Sequence, residues 1–125
     1  MNNTATNVDR RTLSASSIIG DKVVNMDSNK LGDVKDLMLD LERGQIAYAV
    51  LETGDFLGMG GKYFAIPWNA LRVDGDEKQF VLDANKAQFE NAEGFDKNNW
   101  PDFADTTFGE RTHRAFGQEP YYASR

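Results

Sequence analysis

The sequence predicts an all-β domain that curls into a small barrel or sandwich. Three apolar runs of strand length follow one another closely, at residues 23–26, 32–41 and 45–51. Short polar stretches separate these runs and contain the glycine, asparagine and aspartate residues that tight turns favour. A sheet of such short strands must curl, because its outer strands otherwise expose unpaired backbone groups.

The predicted strands differ in how much of their surface is apolar. Leu37, Leu39 and Leu41 recur at every second position, which is typical of a half-buried strand. Val34 lies on the opposite parity and therefore predicts a β-bulge beside it. Residues 46–51 are apolar on both faces. This strand is expected to be central in the sheet, or to be covered on its outer face by another segment.

Cap and turn residues predict the remaining elements. Ser14 and Gly20 bound a short helical turn, and Pro67 begins another turn that passes through Trp68. Residues 83–91 are expected to form a short helix that buries Ala84, Ala87 and Phe89. Further strands are predicted at residues 63–66, 71–73 and 79–82, the last two flanking a hairpin turn at residues 74–76.

Three regions are expected along the chain: a disordered tail at residues 1–12, the barrel domain at 13–91 and a C-terminal arm at 92–125. The arm contains seven aromatic residues but no leucine, isoleucine, valine or methionine. Disordered tails are usually poor in aromatic residues, so we predict an extended arm whose rings fill separate pockets. The arm folds back on its own barrel or is exchanged with a second copy. Exchange, which we favour, gives a homodimer.

Composition excludes several classes of function. The chain has 125 residues, no cysteine and a formal net charge of −6. Disulfides and thiolate metal sites are therefore excluded, and a nucleic-acid binder would be expected to carry a basic field. The first residues lack a signal-peptide pattern, and no run approaches the roughly 18 apolar residues of a membrane span. A cytoplasmic location is the resulting expectation.

The glycine-rich segment at residues 54–62 does not match a phosphate-binding loop. A P-loop ending at Lys62 needs a glycine where Phe56 stands and a serine or threonine where Tyr63 stands. Residues 58–61 satisfy the short GxxG pattern of KH domains, but the surrounding pattern is all-β. The segment is interpreted as a hairpin connection, with a ligand-binding loop as the alternative.

No metal site, cofactor site or catalytic centre is predicted. Asp36 and Asp40 lie about 13 Å apart along an extended strand, too far to share a proton. The stretch from Asp27 lacks the distal ligands of a calcium loop, and the acidic stretch at residues 74–77 is interpreted as a turn. His113 is the only histidine and cannot by itself form a hydrolase triad or a zinc site. It is expected to be a packing or surface residue.

The order and spacing of several motifs carry a family resemblance over roughly residues 13–91. These motifs are Gly20-x-x-Val23, Gly32, Val34-x-Asp36-Leu37-x-Leu39-Asp40, Gly44-x-Ile46, Phe56-Leu57-Gly58 and Ala65-Ile66-Pro67-Trp68-x-x-Leu71. Together they resemble the PRC-barrel family, known from the cytoplasmic part of the photosynthetic reaction-centre H subunit and from the C-terminal domain of a ribosome-maturation factor. The C-terminal segment resembles the extension of stand-alone bacterial members, some of which are linked to stress or envelope maintenance.

The resemblance implies a small six-stranded β-barrel that acts as an adaptor or assembly module and not as an enzyme. The expected partners are a second copy of the chain and an unidentified protein. A small-molecule-binding barrel that uses the loop at residues 54–62 is the alternative function. The candidate interaction residues are Phe56, Leu57, Met59, Tyr63, Trp68, Trp100, Phe103, Phe108, Phe116, Tyr121 and Tyr122.

Overall fold

A computed structural model of the chain describes residues 12–75 and 78–123. The predicted disordered tail lies outside the described residues except for Thr12. One residue of the predicted hairpin turn, Asp76, also lies outside them, as does Glu77 of the acidic stretch.

Six strands form a single sheet, as predicted. They are β1 (Lys22–Val24), β2 (Lys30–Asp40), β3 (Gln45–Thr53), β4 (Tyr63–Pro67), β5 (Leu71–Asp74) and β6 (Gln79–Leu82). Three helices accompany them: α1 (Ala15–Ile18), α2 (Lys86–Asn91) and α3 (Thr106–Ala115). Single 3₁₀ turns occur at Asp55–Leu57, Trp68–Ala70 and Tyr121–Ala123.

The connection between the two edge strands forces the sheet to curl. The strand order is β4-β3-β2-β1-β6-β5, with only β1 and β6 parallel among the neighbouring pairs. Edges of a flat six-stranded sheet would lie about 24 Å apart at about 4.8 Å per spacing. Only the Trp68–Ala70 turn joins β4 to β5, and four residue steps span at most about 14 Å. The sheet therefore forms a curled half-barrel, and its described edge strands are not paired with each other.

One apolar cluster fills the inside of the curled sheet. Its strand residues include Val23, Val34, Leu51, Ile66, Phe80 and Leu82. The predicted bulge is present, because the β2–β3 register shifts between Val34 and Asp36. Phe89 of α2 and Phe116, which directly follows α3, join the same cluster with ring centroids 5.2 Å apart. Residues far beyond the last strand therefore complete the barrel core.

A second apolar cluster covers the outer face of β3 and β4. Tyr48 and Val50 on β3 pack there with Phe95 and Phe108 from the C-terminal segment. Phe95 also extends the β4 edge, because it exchanges backbone hydrogen bonds of 2.9 and 2.8 Å with Tyr63. The prediction for β3 is confirmed in both respects: the strand lies between β2 and β4, and another segment covers its outer face.

The C-terminal segment is not the extended arm that the sequence predicts. Asp105 caps α3 by accepting a hydrogen bond of 2.9 Å from the backbone N–H of Thr107. The helix buries Phe108, Thr112 and His113 along one face. Because none of these residues is aliphatic, the sequence shows no aliphatic residues at helical spacing that would predict the helix. The rings of this segment pack against the barrel of the same chain.

Helix α2 is shorter than predicted. Asn85 and Gln88 form a reciprocal capping box, so the helix begins at Lys86 and not at residue 83. Phe89 is buried as expected, whereas Ala87 is exposed because it lies on the opposite face of the helix.

Candidate functional site

The structure does not bring the predicted interaction residues together on one surface. The fully buried residues of the set are Leu57, Tyr63, Phe108 and Phe116. The half-buried residues are Met59, Trp68, Phe103, Tyr121 and Tyr122. Only Phe56 and Trp100 are exposed. Most of these side chains therefore contribute to the packing of this chain and present little surface to a partner.

The glycine-rich loop is explained by its own geometry. Gly58 and Gly61 adopt φ angles of +67° and +76°, which side chains other than glycine rarely tolerate. Leu57 anchors the loop in the barrel core, and Trp68 packs on the core beside Phe80, with ring centroids 5.6 Å apart. Of the predicted interaction residues in this loop, only Phe56 is exposed. Neither of the two cavities described below is lined by residues of this loop.

A cavity of about 550 Å³ lies beside the turn that joins β2 to β3. We call it the hairpin groove. It is lined by residues 38–43 and 47–48 of the hairpin, by residues 103–106 at the start of α3, and by Tyr121 and Tyr122. Three of the predicted interaction residues, Phe103, Tyr121 and Tyr122, line it. The hairpin residues were not predicted as a site, because only the folded chain places them beside the C-terminal turn.

Asp40 connects the hairpin to the C-terminal turn. Its Oδ2 accepts a hydrogen bond of 2.6 Å from the Tyr121 hydroxyl, and its Oδ1 accepts one of 3.0 Å from the backbone N–H of Arg43. The Arg43 guanidinium lies 3.4 Å from Asp40 Oδ2 and 5.9 Å from the centre of the Tyr121 ring. The hydrogen bond from Tyr121 is the main cause that lowers the pKa of Asp40. Burial, followed by the bond to Asp40, raises the pKa of Tyr121 to about 12.

His113 holds the same turn from the inside. Its side chain is fully buried, and its Nδ1 lies 2.7 Å from the carbonyl oxygen of Gly109. The backbone N–H of Tyr121 donates to His113 Nε2 at 3.4 Å. Both contacts fit the neutral ring with its proton on Nδ1. The ring packs against Tyr48, with centroids 5.4 Å apart, and against Tyr122, with centroids 6.0 Å apart. Burial lowers the pKa of His113, so the residue is a neutral packing group.

We expect the free energy of unfolding to decrease as the pH falls below about 6.5, the ordinary pKa of histidine. The unfolded chain protonates His113 there, whereas the folded chain keeps it neutral, so the unfolded state binds more protons. The stabilisation is therefore complete above that pH and is lost towards the lowered pKa of the folded state. One histidine contributes at most about 1.4 kcal/mol per pH unit.

Urea denaturation of the wild type and of His113→Gln, at a series of pH values from about 7.5 to about 5.5, measures this effect. The difference in unfolding free energy between the two proteins should shrink as the pH falls. A difference that stays constant would show that His113 keeps its ordinary pKa in the folded chain.

A second cavity, of about 530 Å³, lies between α2 and α3 and is lined mainly by polar residues. Its Arg111 side chain pairs with Glu93. Within the part of the chain that the structure describes, no three metal-ligating side chains cluster, and no helix has the length and apolarity needed to cross a membrane. The hairpin groove, with its defined walls and fixed hydrogen bonds, is thus the better candidate site.

Comparisons with known proteins bear on the family. The family model for the PRC-barrel domain matches residues 11–89. Among solved structures, the chain is similar to a putative 16S ribosomal RNA processing protein, RimM, from Pseudomonas aeruginosa, with 12% sequence identity and a TM-score of 0.46. That similarity covers 66% of this chain and 50% of the other, so this chain spans about half the length of that protein. No curated protein matches the chain. Because the family model covers more than half of the residues, the chain belongs to the PRC-barrel domain family.

Proposed function

We propose that this chain is a non-enzymatic protein-interaction module whose contact surface is the hairpin groove. The observation that carries the proposal is the exposure of two leucines on one wall of the groove. Leu39 is 59% exposed and Leu41 is 85% exposed. Aliphatic side chains gain about 25 cal/mol per Å² of apolar surface removed from water, and a partner that covers both leucines would gain this stabilisation.

The hydrogen bonds that hold the walls of the groove in place support a role in binding. Asp40 ties the hairpin turn to Tyr121, and His113 ties Tyr121 to α3, so the groove walls are held by hydrogen bonds on both sides. A surface that is fixed before association loses little conformational entropy when a partner binds.

The remaining chemistry gives little support to catalysis. The only histidine in the sequence is buried, and both of its ring nitrogens are engaged within the chain. Aromatic and aliphatic side chains of the described residues pack together inside the barrel, which does not favour a ligand site there. The chain belongs to the PRC-barrel family, and its resemblance to that family implies an adaptor or assembly role. Family membership therefore also favours an interaction module over an enzyme.

The finer predictions stay predictions. They are a homodimer, an unidentified protein partner, a cytoplasmic location and a link to stress or envelope maintenance. Light scattering on the full-length chain measures the first of them directly.

Affinity purification from the native cells tests the proposed function. The bait proteins are the wild type, the double variant Leu39→Gln/Leu41→Gln and the matched control Phe56→Gln, which alters an aromatic residue that is 52% exposed and lies outside the groove. We expect a protein retained by the wild type and by the control to be lost from the double variant. Identical sets of retained proteins for all three baits would contradict the proposal.

A further inference from the structure

The lining of the hairpin groove has three properties that together restrict what can occupy it. The first is the pair of exposed leucines, Leu39 and Leu41, both of which line the groove. Leu39 lies in β2 and Leu41 directly follows its last residue, Asp40, so the two stand roughly 7 Å apart along the chain. Alternate side chains of another extended segment have the same spacing, so such a segment can pack one side chain against each leucine.

The second property is the aromatic content of the groove. Tyr121 and Tyr122, which are both half-buried, line it together with Tyr48 of β3, whose side chain is only 2% exposed. The Tyr121 ring already lies beside one cation, the Arg43 guanidinium, at 5.9 Å. Tyrosine faces attract further cations in the same way, most strongly where water is partly excluded.

The third property is the balance of charge. The groove is lined by the carboxylates of Asp40, Glu42 and Asp105, against the single guanidinium of Arg43. That guanidinium is paired with Asp40, whereas neither Glu42 nor Asp105 forms a salt bridge with any described residue. The chain as a whole carries a formal net charge of −6, so the field around the groove also favours a positive partner.

From this complementarity we infer that the groove binds an extended segment of a partner protein in which arginine or lysine alternates with aliphatic residues. The aliphatic side chains pack on Leu39 and Leu41. The cationic side chains lay their apolar stems along the rings of Tyr121 and Tyr122 and place their charges beside Glu42 and Asp105. The inference rests on the proposed function and adds the chemistry of the partner to it.

Fluorescence anisotropy with the full-length protein tests the inference. The probe is a labelled hexapeptide of alternating arginine and leucine, and the comparison peptides replace arginine by glutamate or leucine by glycine. We expect the arginine–leucine peptide to bind at least about tenfold more tightly than either comparison peptide, since both charge and apolar contact contribute. Its binding should weaken as the salt concentration rises from about 50 mM to about 500 mM.

Single substitutions then locate the site. Leu41→Gln and Glu42→Gln should each weaken binding of the arginine–leucine peptide by about fivefold to tenfold, while Phe56→Gln should leave it unchanged. All three residues are exposed, so folding is expected to survive each change, and circular dichroism checks this. Equal binding of the glutamate–leucine peptide, or unchanged binding after Leu41→Gln and Glu42→Gln, would overturn the inference.

Two further outcomes separate this inference from the proposed function. If the native partner depends on Leu39 and Leu41 but the arginine–leucine peptide does not bind, the interaction role stands and the inferred chemistry is wrong. If light scattering instead shows a dimer of the full-length chain that Leu41→Gln dissociates, a second copy occupies the groove, and the inference is overturned in favour of self-association.

Discussion

Truncation of the chain after Asn91 is expected to abolish cooperative folding, and not to release a monomeric barrel. The truncation removes three buried phenylalanine side chains, Phe95, Phe108 and Phe116. Burial of a phenylalanine side chain contributes about 1.5–3 kcal/mol, so the three together contribute roughly 5–9 kcal/mol. A domain of this size is stabilised by only about 5–15 kcal/mol in total. The truncation therefore removes most of the stability.

The loss has a second component, because truncation uncovers an apolar surface. Tyr48 and Val50 on β3 would face water on the outer side of the sheet, and the β4 edge would lose its backbone pairing with Phe95. Exposed apolar strands with an open edge favour aggregation. Near-ultraviolet circular dichroism and urea denaturation of the truncated and full-length chains measure the effect. A truncated chain with a sharp unfolding transition and dispersed amide resonances would show that residues 13–91 fold alone.

This expectation changes how self-association should be measured. The sequence predicts that the C-terminal arm makes a homodimer by exchange, and truncation is the obvious test. In the folded chain the segment packs on its own barrel, and exchange between two copies would reproduce the same contacts. Because truncation damages the barrel itself, a monomeric truncated chain would carry no information about exchange. The full-length chain is the appropriate sample.

The strands were predictable because local pattern determines them. Each run of apolar residues between polar turns became a strand, and the apolar character of both faces of β3 correctly indicated a covering segment. Helix α3 was missed because Phe108, Thr112 and His113 supply its buried face without a single aliphatic residue. Propensity and aliphatic periodicity, which predict most helices, are weak in such a segment.

The candidate site was harder to predict than the fold. The hydrogen bond between Asp40 and Tyr121 joins residues that are 81 positions apart in the sequence. Asp40 occurs in the sequence only as part of a family motif and Tyr121 only as one of the candidate interaction residues, and nothing local connects the two. The sequence predicts Leu37, Leu39 and Leu41 as one face of a half-buried strand, but only Leu37 is buried, and Leu41 lies beyond the end of β2. A site assembled from a hairpin, a helix start and a C-terminal turn becomes visible only when the fold brings the three segments together.

Phe116→Ala is expected to reduce the free energy of unfolding by about 3–5 kcal/mol. The Phe116 side chain is only 4% exposed and belongs to the core inside the barrel, although it lies 34 residues beyond the last strand, β6, which ends at Leu82. Its ring packs edge-on against Phe89, which in turn packs against Phe64 of β4 at 5.2 Å between centroids. Loss of the Phe116 ring would leave a cavity at the end of this stack of three phenylalanine rings.

The matched control is Phe56→Ala, which makes the same chemical change at a ring that is 52% exposed. The control should cost less than about 1 kcal/mol, because little apolar burial is lost and no internal cavity forms. Urea denaturation of both variants gives the comparison. An unchanged slope of unfolding free energy against urea concentration would show that each variant unfolds by the same transition as the wild type. If Phe116→Ala cost no more than Phe56→Ala, the segment after α3 would not be part of the barrel core.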